Sequence, residues 1–395
     1  MSTPSSPSNN EYDKSHEINT WDDLGLSIPL LRSIYSYGFE NPSPIQKKAI
    51  YPMIKGNDII AQAQSGTGKT GAFSISTLQL INTKSNTTQA MILSPTRELS
   101  RQTFEVIKNL SSLMKQLRVM LLIGGTSTDD NASELKSNPP HIVVGCTGRI
   151  HDMIRRNYIN AKTLKLIVLD EADEMLSSGF KEQVYNIFQH LSNNIQVALF
   201  SATLPPELSA LTDKFMRNPV KILVKSEMLT LEGISQFKVQ IEDDRQKYMT
   251  LKDLYNHISM SQCIIYCNSV KRVQDLYEAM CEDNFPVCCI HSNMEKEDRA
   301  NSYNEFKSGK YRVLISSNVT ARGIDIQQVS TVINFDIPKD INTYLHRIGR
   351  SGRWGRKGIG INFITRRDFR KLKEIEQHYN TVIEDLPANF SEGLI

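Results

Sequence analysis

"DIIAQAQSGTGKTGAFSISTLQLI", Asp58 to Ile81, sets the frame for the whole chain. It opens with the short apolar run "DIIAQA", turns through Gly66 and Gly68, and continues in a helical pattern. Glycines at a strand-to-helix turn let several backbone N–H groups converge, and the helix start adds its positive end, so such a turn is suited to an anion. The general phosphate-loop pattern G-x-x-x-x-G-K-[ST] fits Gly68, Lys69 and Thr70, but its first glycine falls on Ala63. In that pattern Lys69 reaches terminal phosphates and the Thr70 hydroxyl holds magnesium. A glycine-rich turn before a lysine also arises without any nucleotide.

The rhythm of this unit repeats. "AMILSPT", "VMLLIGG", "HIVVGCT", "LKLIVLDEAD" and "VALFSAT" each read as a buried strand ending in small or polar residues. It restarts at "SQCIIYCNS" and runs on through "FPVCCIHS", "YRVLISSN" and "STVINFDI". Alternation of this kind predicts an α/β fold of two tandem domains, each a mostly parallel sheet flanked by helices. A chain of 395 residues suits two domains of about 150–200 residues. Residues 1–18, rich in Ser, Pro and Asn, are expected to be a disordered tail. Residues 19–223 form the first domain, 224–236 a linker without strong period, and 237–395 the second domain.

Such sheets bind ligands at the carboxyl ends of their strands, so the residues that close the runs deserve inspection. "LIVLDEADEM" delivers Asp170 and Glu171 there after a fully apolar strand. Adjacent carboxylates behind a buried run are costly unless cations or water meet them. One can hold hydrated Mg²⁺ and the other can polarise a water that attacks a γ-phosphate. A strand running into an acid-capped helix is the plainer alternative, and the phosphate loop weighs against it.

Composition excludes some classes. No apolar run approaches the roughly 20 residues that cross a bilayer, and "MSTPSSPSNN" has neither a basic head nor an apolar signal core. The six cysteines, Cys146, Cys263, Cys267, Cys281, Cys288 and Cys289, show no paired CxxC spacing, which points to reduced thiols and not to a zinc site. A net charge of +3 excludes a strongly basic coat but permits a local basic groove.

With Asp170-Glu171-Ala172-Asp173 in place, the sequence resembles the DEAD-box RNA helicases over Trp21 to the C-terminus. "AQSGTGKT" is that family's own phosphate loop, alanine included. "YGFENPSPIQ", "ARGIDIQQVSTVINFDIP" and "HRIGRSGRWGRKGIGINF" most resemble the eukaryotic translation initiation factor 4A group. The resemblance implies two RecA-like domains and an RNA-dependent ATPase that uses ATP and Mg²⁺. Its nucleotide contacts would be Phe39 and Gln46, reading adenine, with Ser65, Gly66, Thr67, Gly68, Lys69 and Thr70 on the phosphates and Asp325 on the ribose. Trp21 falls on the family's upstream aromatic. Lys69, Asp170, Glu171, His346, Arg350 and Arg353 would carry catalysis, the two last as arginine fingers, with Thr70 and Asp170 holding the metal partly through water.

Like charges as close as His346, Arg347, Arg350 and Arg353 repel unless an anion lies among them. By resemblance Ser201, Ala202 and Thr203 couple domain closure to the nucleotide site. Pro95, Thr96, Arg97, Gly125, Gly148, Arg149, Arg299 and Ser317 would meet RNA phosphates, so binding should ignore base sequence. With roughly five phosphates engaged, doubling the salt weakens binding on the order of tenfold. Three departures from the family bear on that grip: Cys146-Thr147-Gly148-Arg149 in place of T-P-G-R, Lys296 in place of a glutamine, and Asn318 in place of aspartate. Implied partners are RNA and a protein activator or scaffold, with no membrane and a monomeric chain. Without a clear Lys/Arg run, cytoplasm is expected, the nucleus being the alternative. An ATP-locked clamp of low turnover and a ribosome-assembly helicase remain open beside the translation reading.

Overall fold

The computed structural model describes residues 18–63, 66–176, 180–204, 206–223, 234–258, 261–320, 329–351 and 358–387. Fourteen strands build two seven-stranded sheets, and every strand pair in them is parallel. The first holds β1 (Ile59–Gln62), β2 (Ala90–Ser94), β3 (Val119–Leu122), β4 (Ile142–Cys146), β5 (Leu166–Asp170), β6 (Gln196–Ser201) and β7 (Val220–Leu223), in the order β3-β4-β2-β5-β6-β1-β7. The second holds β8 (Ile234–Gln240), β9 (Gln262–Tyr266), β10 (Val287–Ile290), β11 (Val313–Ser316), β12 (Val329–Asn334), β13 (Gly358–Ile364) and β14 (Glu384–Asp385), in the order β10-β11-β9-β12-β13-β8-β14.

The central strands β2, β5 and β6 of the first sheet and β11, β9 and β13 of the second are buried on both faces because helices cover both. Ala61, Ile92 and Val168 feed one core of the first domain, while Ile60, Met91 and Ile167 feed the other. The second sheet divides alike, Ile264 and Leu314 facing one core, Cys263 and Ile315 the opposite one. Single-residue alternation between two dry layers explains why these runs read as continuous hydrophobic stretches.

Two boundaries differ from the sequence reading. Ile18, assigned to the tail, is 7% exposed and packs into the first core, because an apolar side chain next to Trp21 has buried surface to gain. The second sheet starts at Ile234, so the last three residues of the expected linker are strand, paired with β13. The rest of that stretch lies outside the described residues. Cys263, Cys267, Cys288 and Cys289 are buried free thiols, as their apolar runs suggested.

β3 and β4 approach so closely at Gly145 that a Cβ there would lie 2.0 Å from the Leu122 carbonyl oxygen. Backbone cannot rotate away as a side chain can. Gly145→Ala is expected to cost about 1–3 kcal/mol and to lower the thermal midpoint on the order of 5 °C. An unchanged midpoint in a melting experiment would show that β3 shifts freely.

Candidate functional site: a nucleotide cleft and its interdomain latch

Strands β5, β6 and β1 are neighbours, and their carboxyl ends bring three motifs to one edge. The phosphate loop follows β1, the two carboxylates close β5, and Ser201-Ala202-Thr203 leave β6. Gly68 adopts φ +100° at the N-cap of the helix Lys69–Leu80. A side chain there would be strained, and its Cβ would meet the Gln46 Nε2 and Ser43 Oγ atoms, each at 2.8 Å.

Lys69 is 5% exposed, and its Nζ donates to the Ala63 carbonyl at 2.8 Å and lies 3.8 Å from Glu171 Oε1. The position where the general pattern has glycine therefore supplies the lysine's resting acceptor through its backbone. Asp170 is 1% exposed, and its Oδ1 accepts the Glu171 N–H at 3.1 Å. Burial, reinforced by the charge of Glu171, pushes the Asp170 carboxyl up to about 7 against the pull of Lys69. Glu171 itself stands at φ 52°, a left-handed backbone unusual for a residue with a side chain. Hard oxygen donors at Asp170 and the half-buried Thr70 hydroxyl suit Mg²⁺, and a carboxyl that resists ionising in the dry site gains from a cation.

Beside the phosphate loop, toward the amino terminus of the domain, Trp21 is fully buried and donates from Nε1 to the Phe39 carbonyl at 3.0 Å. Its ring stacks on Phe39 with centroids 6.1 Å apart, while Tyr37 meets the same ring edge-on at 5.0 Å. Phe39 is thus held rigidly yet half exposed. Gln46 is 4% exposed; its Oε1 accepts the Ser43 N–H at 2.7 Å, and its Nε2 donates to the Gly68 carbonyl at 3.2 Å. One N–H and one lone pair of the amide stay beyond these two bonds, so Gln46 braces the phosphate loop in addition to any contact with a base.

The two domains meet at this edge. Asp173 accepts at Oδ2 from the Thr203 hydroxyl at 2.6 Å, and the same oxygen lies 3.1 Å from His346 Nε2 of the second domain. The Ser201 hydroxyl oxygen accepts the N–H groups of Asp173 and Thr203 at 3.3 and 3.4 Å. Glu171, Asp173 and His346 bring ligand atoms within 4.8 Å of one another, but Thr203 already occupies the shared oxygen, which makes this a hydrogen-bonded latch. Arg350 is 3% exposed and donates from Nε to the His346 carbonyl at 3.1 Å. Ser65, Asp325 and Arg353 lie outside the described residues.

The expectation that the arginines of this cluster need an anion among them is corrected at Arg347. Its side chain turns into the second domain, fully buried, and is satisfied there by uncharged oxygens.

Along the second edge, Thr96 caps the helix Arg97–Leu110 by accepting the Leu99 N–H at 3.3 Å, and Arg97 lies against Gly124. Gly125 takes φ +99°, and Arg149 braces that turn by donating to the Thr126 carbonyl at 2.9 Å. Cys146 occupies the N-cap of the helix Thr147–Arg155 without a side-chain capping bond, its Sγ lying 3.4 Å from the Ser100 hydroxyl, and the Thr147 hydroxyl donates to Gln183 Oε1 at 2.7 Å. The hydroxyl has moved, as the departure from T-P-G-R suggested, and now ties two helices together. Pro95 and Ser317 directly follow β2 and β11, and Gly148 is the second residue of the helix Thr147–Arg155.

Arg299 departs from the reading of a simple phosphate contact. Its Nη2 donates to Glu98 Oε2 of the first domain at 2.6 Å, each side chain 13% exposed. Among the described residues its Nε is buried without a partner. Glu98 follows Pro95, Thr96 and Arg97 in the stretch that resembles the family's RNA contacts, but its pairing with a residue 201 positions away leaves no local signal.

A family model for DEAD/DEAH box helicases matches residues 43–211, and one for the helicase conserved C-terminal domain matches residues 246–355. The chain belongs to the DEAD-box helicases. It is 49% identical to eukaryotic initiation factor 4A of Caenorhabditis elegans over 95% of this chain and 93% of that protein. It is also 49% identical to the ATP-dependent RNA helicase eIF4A of Kluyveromyces lactis, covering 96% of this chain and 95% of the other. Among solved structures, S. cerevisiae Dbp5 bound to RNA and ADP BeF3 superposes with a TM-score of 0.88 at 31% identity, over 95% of this chain and 97% of that one. Mss116p bound to ssRNA and AMP-PNP gives 0.84 at 27% identity, over 97% and 82%.

Two outcomes follow from this geometry. Because the folded Asp170 carboxyl holds its proton to about pH 7, against 3.8 ordinarily, the folded chain loses stability as pH rises between those values. A cation entering below pH 7 must displace that proton. Mg²⁺–ATP binding is expected to release protons at about pH 6 and few at about pH 8, read by calorimetry in buffers of different ionisation heat. Equal release at both would place the proton elsewhere. For the Glu98–Arg299 pair across the domains, Glu98→Gln and Arg299→Gln should each weaken RNA binding in the presence of a non-hydrolysable ATP analogue, and the double variant should lose less than the sum. Additive losses would mean that the two side chains act apart.

Proposed function

We propose that this chain is an ATP-dependent RNA helicase that couples ATP hydrolysis to opening short RNA duplexes, in translation initiation and in the cytoplasm. The observation that carries the reading is the Asp173–His346 contact, because it closes the second domain over the two carboxylates of the first. The relatives named for ATP-dependent RNA helicase activity and initiation support it across the length of the chain. Support also comes from the domain arrangement. A DEAD box protein from Methanococcus jannaschii is 34% identical over 94% of this chain and all of that one, yet scores only 0.54, whereas the RNA- and nucleotide-bound proteins score 0.83 to 0.88. The arrangement here is thus the one those proteins take with both ligands.

In this mechanism Phe39 stacks on adenine and Gln46 meets its polar edge. Lys69 leaves the Ala63 carbonyl for the terminal phosphates, which frees Glu171 to orient the attacking water. Thr70 and Asp170 would hold Mg²⁺, which when bound neutralises charge on the β- and γ-phosphates. Arg350 and Arg353 enter from the second domain toward the transferring phosphoryl group, so hydrolysis requires closure. Asp325 holds the ribose. Thr96, Arg97, Gly125, Gly148, Arg149 and Ser317 take successive RNA phosphates, and the closed groove bends one strand away from its complement. The buried Glu98–Arg299 pair favours one variation: an RNA clamp that stays shut and turns over slowly.

The test is hydrolysis by the purified chain with single-stranded RNA, matched DNA or neither. RNA alone should stimulate, and Glu171→Gln should abolish turnover while RNA stays bound with ATP. Stimulation by DNA, or normal turnover in that variant, would overturn the reading. Persistent RNA binding under excess ATP would select the clamp.

A further inference from the structure

At the carboxyl edge of the second sheet, Arg347 is fully buried and uses all five of its N–H donors. Nε and Nη2 donate to Asn318 Oδ1 at 3.0 and 2.6 Å, and Nη2 also donates to Asn268 Oδ1 at 2.8 Å. Nη1 donates to Asn334 Oδ1 at 3.1 Å and to the Asp336 carbonyl at 2.8 Å. Every acceptor is uncharged. The nearby Asp336 carboxylate is occupied: Oδ1 accepts from Arg272 Nε at 2.8 Å and lies 3.4 Å from Lys247 Nζ, and Oδ2 accepts the Asn268 N–H at 3.0 Å. Asp244 pairs with the same two cations. Three cations thus share two carboxylates, and one positive charge is left in excess beneath the surface.

That excess reaches solvent through Asn318. Its Oδ1 is fixed by the double bond from the guanidinium, which turns Nδ2 the other way on an exposed residue directly after Ser317. Neither that Nδ2 nor the Ser317 hydroxyl has a partner among the described residues. An amide whose oxygen is held by a cation is polarised, so its N–H groups become stronger donors. Two adjacent donors with a buried cation behind them and no carboxylate between make a seat for a phosphodiester oxygen.

We propose that Asn318 is an RNA phosphate ligand, its amide clamped by Arg347 so that Nδ2 presents two donors beside the Ser317 hydroxyl. An aspartate at this place would still satisfy the guanidinium, but it would cancel the excess charge and turn a carboxylate toward the RNA backbone. Asparagine therefore tightens the grip of the second domain. This rests on the RNA reading above and adds a contact to it.

The test compares the wild-type chain with Asn318→Asp, Asn318→Ser and Asn318→Ala. Binding of a single-stranded RNA with a non-hydrolysable ATP analogue is measured over a range of salt, and the thermal midpoint is read for each variant. Asn318→Asp is expected to bind RNA roughly tenfold more weakly, with a salt slope shallower by about 0.7, and to melt no lower than wild type. Asn318→Ser, keeping a hydroxyl donor, should bind more tightly than Asn318→Ala at temperatures below both midpoints. Wild-type affinity and slope in Asn318→Asp would overturn the proposal. If that variant melts early, equal losses in the serine and alanine variants would overturn it instead. Failure of the wild-type chain to bind RNA would sink the proposed function, a result separate from either of these.

Discussion

Burying carboxylates at the end of an apolar strand is the constraint on which the rest of this molecule depends. β5 carries Asp170 out of a dry core and leaves it, with Glu171 and Asp173, almost inaccessible to water. Such groups need cations and donors from elsewhere, and each donor that meets them recruits another part of the chain. Lys69 arrives from the loop after β1, Thr203 from the end of β6, and His346 from the second domain. The parallel order β5-β6-β1 makes the first two possible with short connections. Only closure of the domains supplies the third.

The same logic recurs in mirror image on the second sheet, where the buried group is a cation. Arg347 sits at the ends of neighbouring strands β11, β9 and β12, and burial pulls its guanidinium down to about 10, still charged at neutral pH. Amides in place of a counter-carboxylate satisfy its hydrogen bonds without cancelling its charge. Each domain thus buries a charge at the carboxyl ends of its strands, an acid in the first and a base in the second.

Much of this was legible in the sequence. Continuous apolar runs ending in small or polar residues gave the parallel sheets, and the phosphate loop with "DEAD" gave the cleft, because both patterns are local. What was not legible depends on distance. Glu98 and Arg299 lie far apart along the chain, and nothing near either residue announces the other. Arg347 looked like one of four cations around an anion, since periodicity does not say that one side chain of the cluster turns inward. Ile18 and Ile234 were misplaced because composition changes gradually where the tail meets the core and the linker meets the sheet.

Gln46 carries a consequence for fidelity. Its amide touches the Gly68 carbonyl, and a methyl group on Gly68 or Gly71 would collide with it, so the side chain proposed to read the base and the phosphate loop form one rigid piece. A base that fails to fit Gln46 cannot be tolerated locally, because any shift of the amide is passed to the loop that aims the phosphates. Such a nucleotide can still dock through its phosphates, yet it would sit misaligned with Glu171. Errors in base identity would then surface as slow turnover more than as weak binding, and the cleft would proofread by geometry after capture.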